Sequence, residues 1–143
     1  REELGRIADL STSAPGATLM KVLDGEGILR IREAVREVPM ADTTKDYAIR
    51  LILATHPKED AGVPRAQKFV QYGASPRGLQ SLILAGKARA LLSGRPNVSC
   101  ADIRATVLPS LRHRIILNLA GEAEGVTTEA ILEEVLQAVP EMP

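Results

Sequence analysis

Apolar residues recur at three- and four-residue intervals along most of the chain, and turn-forming residues cut that pattern into segments. Leu4, Ile7 and Leu10 place Glu2 to Leu10 in a short helix or helix end. Ser11 to Gly16, rich in Ser, Pro and Gly, reads as a loop, and Thr18 to Leu23 as an extended or connecting stretch. Asp24 is placed to cap a helix whose apolar side carries Ile28, Leu29, Ile31 and Val35, closed by Pro39. Thr43 with Asp46 has capping-box spacing ahead of Tyr47, Ile49, Leu51, Ile52 and Leu53, a mostly buried helix to about Thr55. His56 precedes Pro57, where helices tend to end. Pro57 to Gln67 is polar and reads as a loop.

The second half is punctuated more sharply. Ser75 can cap, and Pro76 fits the first helical position, where its missing N–H costs nothing. Leu79, Leu82, Ile83, Ala85, Ala90 and Leu91 then fill a long helix with Gly94 as its C′ residue. Ser99 and Asp102 form a second capping pair before Ile103, Val107 and Leu108, and Pro109 breaks or kinks that helix. Ser110 to Leu119 carries an apolar run too short to separate helix from strand. Thr127 or Thr128 caps a last helix with Ile131, Leu132, Val135 and Leu136 on one face, ended by Pro140. The predicted fold is all-α, a compact bundle of about five or six helices.

Composition agrees with that fold. Hydrophobic residues make up 45% of the 143 residues, but aromatics only 2%, so the core must be Leu, Ile, Val and Ala, which suits close-packed helices. Lys plus Arg and Asp plus Glu both number 18, and a chain of zero net charge lacks the basic excess of a general nucleic-acid binder. One Cys and two His cannot build a Cys/His zinc site, and no metal is expected. No apolar run is long enough to span a membrane and no signal peptide is recognisable, so a cytoplasmic location is expected. The chain opens within an amphipathic pattern and without an initiator Met, as expected of a segment of a larger protein.

Catalytic signatures are missing. There is no G-x-x-x-x-G-K-[ST] loop, no hydrophobic strand ending in paired acids that could hold Mg²⁺, and no G-x-S-x-G elbow. Glu122, Glu124, Glu129, Glu133 and Glu134 read as solvated faces, and Cys100 as a small buried side chain. The richest segment is Gly73-Ala74-Ser75-Pro76-Arg77, a helix start whose free N–H groups and Arg77 fork suit a phosphate or carboxylate. Read alone, it is also simply a helix start with a solvated arginine. Arg112-His113-Arg114, with Arg95 and Arg104 nearby in sequence, is either an anion or subunit contact or a solvated helix end.

Several segments in order decide between these readings. Tyr72-Gly73-Ala74-Ser75-Pro76-Arg77 resembles the G-A-S-P-R signature in the C-terminal lid subdomain of MoxR-type AAA+ ATPases. Lys87-Ala88-Arg89-Ala90 with Gly94-Arg95, Val98 to Ile103, and Leu108 to Ile115 with its Leu-Arg-His-Arg run are similar to later segments of that lid. Asp46-Tyr47 and Ala54-Thr55 match upstream, and the resemblance covers about residues 20 to 136.

The resemblance implies residues 1–19 as a linker or helix end leading from an ATPase core that this chain lacks, and 20–143 as the lid. It implies Arg77 as the second sensor, reaching the γ-phosphate of ATP bound to the core. For Arg112, His113 and Arg114 it implies a contact with the core or with a neighbouring subunit of a ring. ATP and Mg²⁺ belong to the full-length, chaperone-like ATP hydrolase; this chain alone is expected to bind neither and to lack ATPase activity. One departure is Gly78, where the family commonly has Ala. Two other readings stand beside this one. An independent helical adaptor for a partner helix or acidic peptide should expose a sizeable apolar groove. A helix-turn-helix DNA binder would use Ser99 to Leu108 and Ser110 to Arg114, with Arg95, Arg104, Arg112 and Arg114 on one basic face.

Overall fold

Eleven residues with acids in the first turn and apolar side chains three apart suffice for α1, Glu2–Thr12, but not for a core of its own. Leu4, Ile7 and Leu10 remain 60–85% exposed. The computed structural model describes residues 1–12, 20–58, 60 and 62–142. Of the loop expected at Ser11 to Gly16, Ser11 and Thr12 instead complete α1, and the remainder lies outside the described residues. So do Thr18 and Leu19 of the expected connecting stretch, whose remaining residues have no regular structure. The expected boundary between residues 19 and 20 falls at the edge of that same gap.

The chain divides into two compact units, Arg1–Ile31 and Arg32–Pro143. The first contains α1 and the start of α2, Gly25–Glu37. Asp24 caps α2 as expected, its carboxylate accepting from the Gly27 N–H at 2.7 Å. Ile28, Leu29 and Ile31 are about half exposed, so the apolar side read from their spacing exists without being buried.

The second unit is helical around one core. It holds the end of α2, then α3 (Asp42–Ala54), α4 (Pro64–Phe69), β1 (Val70–Tyr72), α5 (Pro76–Leu92), α6 (Cys100–Leu111), β2 (Ile116–Leu117), α7 (Leu119–Ala123) and α8 (Thr128–Ala138). The all-α class holds, with eight helices among the described residues and one small antiparallel ribbon that pairs Val70 with Leu117 and Tyr72 with Ile116. The extra helices are α4 and α7, of 6 and 5 residues, too short to show a period. Part of the loop expected at Pro57 to Gln67 is therefore helix. Pro64 starts α4 at a position that needs no N–H, and Ala66 and Phe69 are buried. Residues 59 and 61 of that loop lie outside the described set.

Helices α5 and α6 form the centre. Gly86 lets them close: a Cβ there would stand 2.7 Å from Ile103 Cδ1. Leu82, Ile103, Leu111, Ile131, Leu132 and Tyr47 are fully buried, and the core is aliphatic apart from the rings of Tyr47 and Phe69. Burial pushes the Tyr47 phenol up, and Arg104, donating to its oxygen at 3.0 Å, opposes that shift. Gly94, at φ 66°, closes α5 with Schellman bonds from Arg95 N–H to Ala90 O and from Gly94 N–H to Leu91 O.

The caps divide into kept and lost. Ser99 and Asp102 form the full reciprocal box, and Thr127, not Thr128, caps α8. The Thr43–Asp46 box does not form. Helix α3 starts two residues earlier, with Ala41 rather than Thr43 as N-cap, and Asp46 accepts from Arg50 Nε at 2.8 Å. Pro109 does not end α6, which runs on to Leu111, close enough to the terminus that one missing bond is tolerated. Ser110 and Leu111 finish that helix, residues 112–115 turn, and Ile116–Leu117 take the strand alternative. Hence there is no second helix over 110–114, and the helix-turn-helix reading fails. Cys100, expected to be buried, is half-buried.

Candidate functional site

The loop between β1 and α5 is held from behind by the end of α3. Thr55 is fully buried; its hydroxyl donates to Ile52 O at 2.6 Å and accepts from the Ala74 N–H at 2.9 Å. His56 Nε2 lies 2.9 Å from the Ala74 carbonyl, which can only accept, so Nε2 carries the proton. Both backbone polar groups of the buried Ala74 are thereby fixed by two successive residues. Gly73 permits the approach: a Cβ there would stand 2.7 Å from Thr55 O and 2.8 Å from the His56 ring.

Helix α5 leaves this loop directly. Ser75 occupies the N-cap position with Pro76 next, as its sequence suggests, but its side chain makes no capping bond. The Ser75 carbonyl takes the Gly78 and Leu79 N–H groups instead, at 2.7 and 3.3 Å. Arg77 therefore stands in the first turn of a 17-residue helix and is exposed. Among the described residues no carboxylate lies within 4.0 Å of Arg77, Arg112 or Arg114, although nine ion pairs form elsewhere. Beside the helix start is a groove of about 440 Å³ lined by His56, Pro57, Lys58, Gln71, Tyr72, Gly73, Ser75 and Pro76.

The sequence cluster around Arg112 separates in space. Arg112 and His113 are exposed, whereas Arg114 is half-buried and bound to α5 through Ser81. Arg95 is committed to Asp102, and Arg104 to Tyr47 and the Leu136 carbonyl. No single basic face gathers them. Thr55 and His56 were not singled out as site residues by the sequence; the only signal was that Ala54-Thr55 matched a family pattern. Among the described residues no group of three His, Cys, Asp or Glu side chains could hold a metal. No helix there is long and apolar enough to cross a membrane.

Residues 64–135, from α4 into α8, match the AAA lid domain family. The chain belongs to that family. The lid is of the MoxR type. It is 30% identical over 138 residues, 96% of the chain, to Chaperone MoxR1 of Mycobacterium tuberculosis. It is 44% identical over 57 residues, 40% of the chain and 17% of the relative, to Protein MoxR of Paracoccus denitrificans. A crystal structure from Cytophaga hutchinsonii, described as a "putative ATPase", superposes with a TM-score of 0.86 at 31% identity over 96% of the chain. The chain spans 36% of the length of the Mycobacterium relative and 42% of the Cytophaga protein.

Proposed function

We propose that this lid acts within a longer MoxR-type AAA+ ATPase and contributes Arg77 as a sensor of the bound nucleotide. The observation that carries the reading is an exposed arginine with no carboxylate partner among the described residues, set on a helix start that is braced from behind. A charge left unpaired in a chain of zero net charge is suited to an anion supplied from outside. The positive end of α5 adds to that preference. The ATPase core would supply the phosphate-binding loop and Mg²⁺. Arg77 would meet the γ-phosphate and stabilise the charge that develops as it transfers. The adjoining groove, with Tyr72 62% exposed, gives the rest of the nucleotide an apolar surface to lie against.

Thr55, His56 and Gly73 serve this role by fixing the loop, so that Arg77 needs little reorganisation when ATP arrives. Arg112 and His113, exposed at the end of α6, would face the core or a neighbouring subunit of a ring. The work done by the whole assembly would be chaperone-like, the Mycobacterium relative being named a chaperone.

The test compares two nucleotides in the longer ATPase. Arg77→Ala should weaken binding of a non-hydrolysable ATP analogue about tenfold or more, the worth of one hydrogen bond to a charged group, and leave ADP affinity unchanged. An unchanged ratio of the two affinities would remove the sensor role.

A further inference from the structure

Arg77 is also braced from a second side, through a chain of three hydrogen bonds. Arg114 Nε donates to the Ser110 carbonyl at the end of α6, at 3.0 Å. Its Nη2 donates to Ser81 Oγ at 3.1 Å. The Ser81 hydroxyl in turn donates to the carbonyl oxygen of Arg77 itself, at 2.9 Å. The end of α6 is thus tied to the peptide that bears the sensor. Gly78 lies beside this contact: a Cβ there would crowd Leu111 Cδ2 at 3.2 Å and meet Arg114 Cδ at 3.6 Å, an ordinary contact distance.

The geometry has an electrostatic consequence. Arg77 and Ser81 are four residues apart, so they share one face of α5. A guanidinium held at Ser81 therefore lies about one helical turn, roughly 5.4 Å, behind the Arg77 backbone on that face. Its positive charge disfavours Arg77 rotamers that fold back along the helix and leaves those that reach beyond the N-terminus. Among the described residues neither arginine has a carboxylate within 4.0 Å.

We propose that Arg114, acting through Ser81, is a positioning residue for Arg77; this rests on the sensor reading above. Lysine cannot replace it. Two donors at fixed separation are needed to bridge a carbonyl and a hydroxyl, and an ammonium on a flexible stem does not offer them in that geometry.

The experiment is a double-mutant cycle in the longer ATPase, with turnover measured for Arg77→Ala, Arg114→Lys, Ser81→Ala and each of the latter two combined with Arg77→Ala. Arg114→Lys should lower turnover about tenfold although the charge is kept, and Ser81→Ala should lower it less. Neither should lower it further once Arg77 is alanine, because both act through that side chain. A second readout needs no catalysis. In this chain Arg114→Lys should speed hydrogen exchange at the Ser81 amide, which bonds the Arg77 carbonyl, and leave the later turns of α5 unchanged.

Multiplicative losses in the double variants, or faster exchange along the whole of α5, would show that Arg114 acts independently of Arg77 and overturn the proposal. Wild-type turnover in Arg114→Lys and Ser81→Ala, with Arg77→Ala impaired, would overturn the positioning role alone. Wild-type turnover in Arg77→Ala would overturn the sensor reading and this inference with it.

Discussion

Replacing Asp102 by Asn should destabilise the lid by about 2–3 kcal/mol at neutral pH. The carboxylate is almost wholly buried and accepts four hydrogen bonds. Two come from the terminal nitrogens of Arg95, one from the Ser99 N–H at 3.0 Å and one from the Ser99 hydroxyl at 2.8 Å. Arg89 Nε stands 3.5 Å away. Asparagine keeps the shape and one acceptor, but turns an NH₂ toward donors. A fully buried pair broken in this way costs about 3–5 kcal/mol. The Arg95 side chain is 38% exposed and can return to water, which brings the expected figure below that range.

The same site carries a pH signature. The Arg95 guanidinium holds the Asp102 carboxyl well below the usual carboxylate range, with Ser99 assisting and burial opposing. A folded pKa below the unfolded one gives stability that is complete above the unfolded value, near 3.9, and is lost as pH falls from there toward the folded value. Urea denaturation at pH 7 and at intervals below pH 4 separates the two states of the group. The wild type should lose more stability on acidification than Asp102→Asn, the difference between them shrinking as pH falls. Equal midpoints at pH 7, or parallel pH dependences below pH 4, would refute the reasoning.

Other substitutions probe the brace behind the helix start. Thr55→Val leaves the buried Ala74 N–H without its acceptor and should cost about 1–3 kcal/mol in a denaturant titration; an unchanged midpoint would mean another group takes that proton. Gly73→Ala drives a Cβ into the Thr55 carbonyl and should cost about 1–3 kcal/mol, read from the same titration, with no loss counting against the tight packing. Gly94→Ala, at φ 66° with open space around it, should cost about 1–2 kcal/mol from backbone strain alone, and a thermal melt shows whether it does.

What the sequence revealed was local. Ser99 with Asp102, Gly94 after α5, Asp24 before α2 and Thr127 before α8 act within a few residues of themselves, so spacing and residue type suffice to find them. Where a helix starts earlier than its signal suggests, spacing misleads: with Ala41 as N-cap, Thr43 and Asp46 both lie inside α3, and Asp46 pairs with Arg50. Period finds helices but not what covers them, which is why Leu4, Ile7 and Leu10 read correctly as a helical stripe yet lie exposed.

The contacts that shape the site join distant positions. Thr55 and His56 reach Ala74 across 19 and 18 residues, Arg114 reaches Ser81 across 33, and Val70 pairs with Leu117. Nothing in a periodic pattern encodes such pairs. Arg77 itself was visible only because Gly73 to Arg77 stood in order with several other family segments. Its exposure and its lack of a carboxylate partner among the described residues then gave that resemblance a physical footing.

The most direct measurement sets the stability of this chain against the turnover of the longer ATPase for one substitution, Arg77→Ala. An exposed arginine that serves an external phosphate contributes little to the fold, so the denaturation midpoint of the chain should change by no more than about 0.5 kcal/mol. Steady-state ATP turnover of the longer protein should fall at least about tenfold, from the loss of one charge-assisted contact in the transition state. Wild-type turnover in a well-folded Arg77→Ala enzyme, or a clear loss of stability in the chain, would contradict the assignment of Arg77 as the sensor.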